Sequence, residues 1–263
     1  MNVRSVLSIA GSDSSGGAGI QADIKTIAAH KLFAQTAITA LTAQNTMGVS
    51  AVLDVSPEFV ERQIDAVFED IRPDAVKVGM VSSPAIVQVI AQALERHHAT
   101  NVVVDPVMVA TSGDSLASDG VVDALRTYLF PLACVITPNI PEACVLWGRA
   151  IESRQEQQDA ARDLLATGAA AVLVKGGHGD GEAYDVLALS DGSVCGFAAP
   201  RVDTSNTHGT GCTLSSAIAC GLAEGKPLEQ AVEQAKAYVT GALAAGLELG
   251  RGNGPVDHMW SYR

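Results

Sequence analysis

The sequence predicts an α/β fold in which a doubly wound, mostly parallel sheet is flanked by helices on both faces. Four short apolar runs without alternation are typical of parallel strands buried on both faces: 75–78, 102–104, 134–136 and 171–174. Helix signals separate these runs, and alternation of strand and helix indicates a parallel sheet. In such a sheet, ligands bind beyond the carboxyl ends of the strands.

Length and composition fit one domain that spans residues 1–263. Of its residues, 48% are hydrophobic and 17% are charged, which is enough apolar material for a sizeable core. The net charge of -12 argues against nucleic-acid and anionic-membrane partners, so a phosphate site must be built locally. No signal-peptide core and no transmembrane run is present, and the five cysteines include no C-x-x-C pair. We therefore expect a cytoplasmic protein without a disulfide framework.

The N-terminal part begins with a predicted strand at 4–10, a glycine-rich loop at 11–19 and an amphipathic helix at 20–30. The loop lacks the lysine of a P-loop and contains no G-x-G-x-x-G fingerprint. It is therefore not a Walker A site, and it gives no argument for a dinucleotide site. Two further strands are predicted at 33–44 and 49–55, on either side of a turn.

Three helices have recognisable start signals. Ser56-Pro57 and Ser83-Pro84 each combine an N-cap residue with proline at the first helical position, and Ser153-x-x-Glu156 has the spacing of a capping box. These starts supply the helices that alternate with the apolar runs.

A glycine loop at 206–214 opens a buried helix and forms the centre of the candidate site. Gly209 and Gly211 allow a sharp turn and a close approach to a ligand, and the unpaired first-turn N–H groups attract an anion. Cys212 stands at the start of this helix, where the pKa of a thiol is lowered. A helix N-terminus with a buried structural cysteine is the plainer alternative.

Polar residues follow the predicted parallel strands. Asp105 and the Asn139-x-x-Glu142 pair offer hard oxygen ligands, which suit Mg²⁺ held through water and phosphates. Alternatively, Asn139 and Glu142 form the first turn of a helix whose dipole favours the acidic residue. Lys175, directly after a buried strand, is better placed than a surface lysine to reach phosphate oxygens.

Six motifs occur in order along the chain, and each would be a weak signal alone. They are AGSDSSGGAGIQAD at 10–23, TAQNT at 42–46, DPVM at 105–108, TPNIPE at 137–142, VKGGH at 174–178 and HGTGCTL at 208–214. Through them nearly the whole chain resembles the hydroxymethylpyrimidine/phosphomethylpyrimidine kinases of thiamine biosynthesis. Those enzymes are members of the ribokinase-like superfamily, so the resemblance implies a ribokinase-like kinase domain that uses ATP and Mg²⁺.

The resemblance implies a substrate side of the site. It places the substrate against the backbone of the N-terminal loop at Gly11 and Ala18, with the substrate hydroxyl near Asp23. The other residues on this side are Gln44, Met80 and Val107. The amide of Gln44 has an acceptor and two donors, which suit the amino group and ring nitrogen of an aminopyrimidine. A glutamine beside a turn is the plainer explanation of Gln44.

The resemblance also implies a phosphate side. It assigns the anion hole for the transferring phosphate to Gly209, Thr210 and Gly211. It assigns the nucleotide to Lys175 and Lys236, and the metal to Asp105, Asn139 and Glu142. For Lys236, a solvated lysine on an amphipathic helix is the plainer alternative. Cys212 stands where the superfamily usually has an aspartate as general base, although cysteine is usual in the resembling family.

We therefore expect an ATP-dependent kinase of thiamine diphosphate biosynthesis. It would phosphorylate 4-amino-5-hydroxymethyl-2-methylpyrimidine to the monophosphate and then to the diphosphate at one site, and we expect a homodimer. A pyridoxal or pyridoxine kinase, or an enzyme with both specificities, is the nearest alternative, because B6 vitamers are also flat hydroxymethyl heterocycles. A non-catalytic vitamin-binding or nucleotide-binding sensor is an alternative of another class.

Overall fold

A computed structural model describes residues 3–108, 118–177 and 181–263. Its strands are β1 (Ser5–Asp13), β2 (Phe33–Asn45), β3 (Gly48–Asp54), β4 (Ala75–Val78), β5 (Val102–Val104), β6 (Val135–Ile136), β7 (Ala171–Val174), β8 (Ala183–Leu189) and β9 (Val194–Ala199). Its α-helices are α1 (Gly19–Ala29), α2 (Pro57–Asp70), α3 (Pro84–Arg96), α4 (Val121–Ala124), α5 (Ile140–Trp147), α6 (Arg154–Asp163), α7 (Thr210–Ala223) and α8 (Leu228–Ala245). None of the helices in these ranges is long and apolar enough to cross a membrane.

The strands form one nine-stranded sheet in the order β3-β2-β1-β4-β5-β6-β7-β8-β9. Pairing is parallel from β2 through β1, β4, β5 and β6 to β7, whereas β3, β8 and β9 pair antiparallel towards the two edges. All four predicted apolar runs are therefore confirmed as parallel strands. The predicted α/β class and mostly parallel sheet are also confirmed.

Two hydrophobic clusters lie on opposite faces of the sheet. Val76 and Val78 of β4 contribute to one cluster, and Ala75 of the same strand contributes to the other, because successive side chains point to opposite faces. Buried residues of α2, α3, α5 and α6 complete the first cluster, and residues of α1, α7 and α8 complete the second. The central strands are thus covered on both sides, and their carboxyl ends remain the edge at which polar residues gather.

The helix caps largely follow the predictions. The Ser56 and Ser83 side chains accept hydrogen bonds from the N–H groups of Phe59 and Ile86. Ser153 caps α6, but its predicted capping box is incomplete. The carboxylate of Glu156 accepts from the Ser153 hydroxyl and from the N–H of Glu152, one residue before the cap.

Strand β1 extends beyond its predicted end at residue 10. After a register shift, Ser12 and Asp13 pair with Leu41 and Thr42 of the longer strand β2, so three residues predicted to be loop continue the strand. This extension was not predicted, because residues 11–13 do not continue the apolar run on which the strand prediction was based. The shift carries Asp13 out to the edge where the site lies.

The antiparallel pair β8 and β9 was not predicted. Strand β9 is only partly buried and contains Gly196, both of which weaken a strand signal. A Cβ at Gly196 would overlap the Tyr184 hydroxyl on β8, so a larger residue there would require the tyrosine side chain to move. This edge of the sheet therefore depends on a cross-strand contact that is not visible in a local pattern.

Candidate active site

The predicted phosphate-side residues converge at the carboxyl edge of the parallel strands. A Cβ added to Gly211 would lie 3.4 Å from Lys175 Nζ and 3.5 Å from Asp105 Oδ2. Gly211 lies in the first turn of α7, Asp105 follows β5 and Lys175 follows β7. Three separate segments thus place helix N–H groups, an ammonium group and a carboxylate within one small volume.

Asp105 and Lys175 form an ion pair of 2.7 Å, and the carboxylate also accepts hydrogen bonds from Thr137 Oγ1 at 3.0 Å and Ser215 Oγ at 3.3 Å. Burial alone would raise the pKa of Asp105, but the charges of Lys175 and Lys77 hold it below its ordinary value. Burial opposes the charge of Lys175, yet its carboxylate neighbours raise its pKa. Both members of the pair are therefore charged at neutral pH.

Asn139 and Glu142 form the full capping box of α5, as the plainer alternative predicted. Asn139 Oδ1 accepts from the Glu142 N–H, and Glu142 Oε2 accepts from the Asn139 N–H, each at 2.8 Å. Burial raises the pKa of Glu142 to about 7, with Lys175 opposing the rise and Asp105 adding to it. Capping and ligand roles are compatible, because each side chain keeps an oxygen lone pair beyond its capping bond.

The described residues contain no cluster of three or more His, Cys, Asp or Glu side chains suited to a metal. Asp105 and Glu142 nevertheless carry two carboxylates beside the one ammonium group of Lys175. This donor set fits Mg²⁺, which is commonly held by one or two carboxylates, water and substrate phosphates rather than by a full protein cage.

The glycine loop has the geometry of an anion site, with one change from the prediction. Gly209 has φ +85°, and a Cβ there would overlap the carbonyl oxygen of Gly17. Thr213 N–H makes the first hydrogen bond of the turn, to the Gly209 carbonyl at 2.9 Å. Thr210, predicted as part of the anion hole, instead donates its N–H to the Thr207 carbonyl at 3.2 Å. The N–H groups of Gly211 and of Cys212, next in the chain, precede the first intrahelical hydrogen bond and therefore have no partner within the helix.

The expectation of a lowered thiol pKa at Cys212 is wrong for this structure. Burial raises the pKa of Cys212 to about 11, and the nearby carboxylates of Asp23 and Asp105 add to the rise. The charge of Lys77 and the N–H of Gly19 oppose it without overcoming it. Loss of hydration therefore outweighs the favourable position at a helix start, and the thiol is neutral at pH 7.

Several predicted substrate-side residues lie together at the ends of β1 and β4. A Cβ on Gly11 would lie 2.8 Å from Met80 Sδ, and a Cβ on Gly19 would overlap the Gly11 carbonyl. Thr39 Oγ1 donates to the Met80 carbonyl at 2.8 Å. The N–H of Ala18 is already committed to Asp13 Oδ2. The backbone is therefore fixed closely around Gly11 and Met80.

Gln44 and Val107 lie at strand ends as expected. The backbone N–H and carbonyl of Gln44 both bond to the Ser14 hydroxyl, and its Oε1 accepts from Thr42 Oγ1 at 3.1 Å. Its amide nitrogen makes no hydrogen bond within the described part of the chain and is available to a ligand. Val107 follows β5 and donates its N–H to the Asp105 carbonyl at 2.8 Å. His178, the last residue of the fifth motif, lies outside the described residues.

Asp23 does not lie at the surface of the site, although the resemblance places it near the substrate hydroxyl. The residue is 0% exposed. It pairs with Lys77 Nζ at 2.8 and 2.9 Å and accepts from the hydroxyls of Ser8 at 2.5 Å and Ser216 at 2.7 Å. Four hydrogen bonds occupy its two oxygens, so it lies beneath the site.

Sequence reasoning missed Lys77 and the Asp13–His208 pair. Lys77 was counted as part of the apolar run 75–78. A lysine within such a short buried strand is the signal that could have indicated a buried charge. Asp13 Oδ2 lies 2.8 Å from His208 Nε2, and its carboxylate also accepts from Ser15, Gly17 and Ala18. These bonds hold the pKa of Asp13 far below its usual value, despite burial. They tie the N-terminal loop to the glycine loop.

Lys236 is buried rather than solvated, and it lies close to the Lys175 segment. Its Nζ pairs with Asp185 Oδ2 at 2.6 Å, and Asp185 Oδ1 accepts from the Gly176 N–H at 2.9 Å. Lys236 is therefore connected to the residue that follows Lys175 through one carboxylate.

Comparison with known proteins adds independent findings. The sequence model of the phosphomethylpyrimidine kinase family matches residues 13–257. The chain is 53% identical over 256 residues to a hydroxymethylpyrimidine/phosphomethylpyrimidine kinase of Rhizobium meliloti, covering 96% of each protein.

Two solved structures are also similar. A phosphomethylpyrimidine kinase from Clostridium difficile is 46% identical, with a TM-score of 0.80 over 90% of this chain and 98% of that one. An ADP complex of Bacillus subtilis pyridoxal kinase is 34% identical, with a TM-score of 0.92 over 99% of each chain.

Proposed function

This chain belongs to the phosphomethylpyrimidine kinase family, and we propose that its site transfers phosphate from ATP to the pyrimidine alcohol and then to the monophosphate. The substrate is 4-amino-5-hydroxymethyl-2-methylpyrimidine, and the product of the second step is the diphosphate used in thiamine biosynthesis. One observation carries the assignment: Gly211 of the helix start lies against both Lys175 and Asp105. Phosphoryl transfer depends on positioning and charge stabilisation, which this arrangement supplies.

A coupled ADP-release assay with the purified full chain tests this function. We expect turnover with the pyrimidine alcohol and with its monophosphate, in each case dependent on Mg²⁺. Pyridoxal is the informative third substrate, because the similarity to the Bacillus subtilis pyridoxal kinase extends over nearly the whole chain. Turnover with pyridoxal in addition would indicate both specificities, whereas turnover with pyridoxal alone would overturn the proposal.

On the phosphate side, the N–H groups of Gly211 and Cys212 would bind the transferring phosphoryl group at the positive end of α7. Lys175, whose raised pKa keeps it charged, would meet the oxygens of the nucleotide phosphates. Asp105, Asn139 and Glu142 would hold Mg²⁺ through water and those phosphates. The metal ion supplies neutralisation of phosphate charge when it is bound.

Lys236 and Asp185 support the same side of the site. Because Asp185 also accepts from the Gly176 N–H, the pair would hold the segment that carries Lys175 in place. We propose this positioning role for Lys236 near the nucleotide in place of direct phosphate binding.

On the substrate side, Gly11 and Met80 would flank the ring, with Ala18 and Val107 lining its surroundings. Cys212 would accept the proton of the alcohol in the first step. The thiol is neutral in the free enzyme, so this role needs a group that favours the thiolate when substrate is bound. In the second step the nucleophile is a phosphate oxygen, which is already ionised near neutral pH because its second pKa is about 6.

Replacement of Gln44 with leucine should raise the KM for the pyrimidine alcohol far more than the KM for ATP. The free amide nitrogen of Gln44 would donate a hydrogen bond to the polar edge of the ring. Leucine would leave that ring atom unpaired, which costs about 1–3 kcal/mol. This cost corresponds to a KM increase of about 5- to 150-fold. Steady-state kinetics with each substrate in turn would show the split. An unchanged KM for the alcohol would remove Gln44 from the site.

The wider context rests on composition and surface. One continuous sheet supports a single kinase domain over residues 1–263. Leu41 of β2 and Leu53 of β3 are cross-strand partners and are both exposed, and this apolar pair supports the expected homodimer. All five cysteines are free, which favours the cytoplasm. The net charge of -12 weighs against nucleic-acid partners.

A further inference from the structure

A complete ion pair lies beneath the reacting corner, out of contact with solvent. Lys77 on β4 and Asp23 on α1 are both 0% exposed, and Lys77 is one of the largest fully buried side chains in the described part of the chain. Their charged atoms are 2.8 and 2.9 Å apart. Burying two charges costs desolvation free energy that apolar residues of the same volume would avoid. Stability alone therefore does not account for the pair.

The pair connects the elements that form both sides of the site. Asp23 accepts from Ser8 on β1 and from Ser216 on α7, one helical turn after Cys212. The ammonium group of Lys77 lies directly behind the backbone of Gly79, where an added Cβ would be 2.6 Å from Nζ. Gly79 immediately precedes Met80 on the substrate side. The start of α7 is thus linked through two side chains to the end of β4.

The charge of Lys77 acts on three acidic groups around it: Asp23, Cys212 and Asp105. Burial alone would lower the pKa of Lys77, but these groups together hold it above its ordinary value. Conversely, Lys77 is the strongest influence that favours the thiolate of Cys212. A fixed positive charge is therefore built in below the group to which we assign proton transfer.

We propose that Lys77 is a positioning residue for phosphoryl transfer. Held by Asp23, it supplies the positive charge that favours the thiolate of Cys212, and through Asp23 and Ser216 it fixes the first turns of α7 against β4. This inference rests on the proposed kinase function, but the state of the Cys212 thiol can be measured separately from activity.

The test is a double variant, Lys77→Met with Asp23→Leu, which replaces the ion pair with apolar residues of similar volume. Such replacements of buried ion pairs are often neutral for folding. Lys77 lowers the pKa of Cys212 more than Asp23 raises it, so loss of both charges should raise that pKa. We expect native near-ultraviolet circular dichroism but slower alkylation of Cys212 by iodoacetamide at pH 8, by about tenfold for each unit of raised pKa. Peptide mass spectrometry would follow Cys212, with Cys144 in the same digest as internal reference.

The kinetic expectation is a fall in kcat for the alcohol of about tenfold or more, with KM for ATP within about twofold and a smaller fall with the monophosphate. Arg4→Met is the matched control. It breaks the Arg4–Asp74 ion pair beside Ser5, which lies at the amino ends of β1 and β4, away from the candidate site. It should leave the alkylation rate and both kcat values unchanged.

A folded double variant with the parent's alkylation rate and kcat would overturn the proposal. If the double variant does not fold, the Ser216→Ala variant tests the positioning role instead, because it removes only the hydrogen bond from α7 to Asp23. A several-fold lower kcat for both steps would support the positioning role, and an unchanged kcat would overturn it. A parent enzyme inactive with both pyrimidines would instead overturn the kinase function, while the alkylation comparison would still judge Lys77.

Discussion

Replacing Cys212 with alanine is expected to slow phosphorylation of the pyrimidine alcohol by about 10²–10⁴-fold, the usual contribution of a positioned general base. Conversion of the monophosphate to the diphosphate should be spared to a much larger degree, because its nucleophile is already ionised. Alanine keeps the N–H group of residue 212 and the start of α7, so the anion site remains. Single-turnover rates with each substrate would measure the difference.

The pH dependence gives an internal check on the same step. Burial raises the pKa of Cys212 to about 11 and that of Glu142 to about 7. Above the titration of Glu142, the thiolate fraction of the parent and its rate with the alcohol should therefore still rise with pH. The alanine variant should lose that rise. If alanine lowers both steps by the same factor, Cys212 acts on geometry or phosphate binding rather than as a base.

Replacing Lys175 with methionine should lower both steps alike, by about 10²–10³-fold, as expected when a charge-stabilising group is removed. Both steps use the same nucleotide phosphates, so neither should be spared. Loss of one partner of a buried ion pair also costs about 3–5 kcal/mol of stability, because Asp105 is left without its 2.7 Å partner. Rates should therefore be measured well below the melting temperature of the variant.

Lys226→Met is the matched control for the lysine experiment. Lys226 follows the C-terminal end of α7 and pairs with Glu224 and Gln234 at the surface. Its loss should change neither rate. A defect of Lys175→Met that is confined to one of the two steps would contradict the assignment of Lys175 to the nucleotide.

Much of the fold was predictable because its signals are local. The apolar runs marked the parallel strands, and Ser56 and Ser83 marked helix starts by residue type alone. Strands β8 and β9 were missed because their stability comes from pairing with each other and with β7. The same limit applied to the end of β1, whose polar residues are strand only because β2 lies beside them.

The proximity of Asp105 and Lys175 was also predictable, because residues that follow parallel strands share one edge of the sheet. The environment of each group was not. Lys77 and Asp23 are paired only in the folded chain, and the thiol of Cys212 is shielded by elements far away in sequence. Motifs identify the residue types of a site, whereas burial and neighbouring charges, which set their pKa values, follow from packing.

The contact between Asp13 and His208 also determines when, during synthesis, the two loops of the site can come together. The two residues are 195 positions apart, so the N-terminal loop leaves the ribosome long before the segment that carries its hydrogen-bond partner His208. Domains begin to organise during synthesis from the N-terminal side, while contacts of large sequence separation form late. His208 is joined only after the residues of β1 to β9 have been joined. Nascent chains that end before His208 therefore carry the N-terminal loop and the residues of β1 to β9 but not α7, so the candidate site is completed only once this helix has been made.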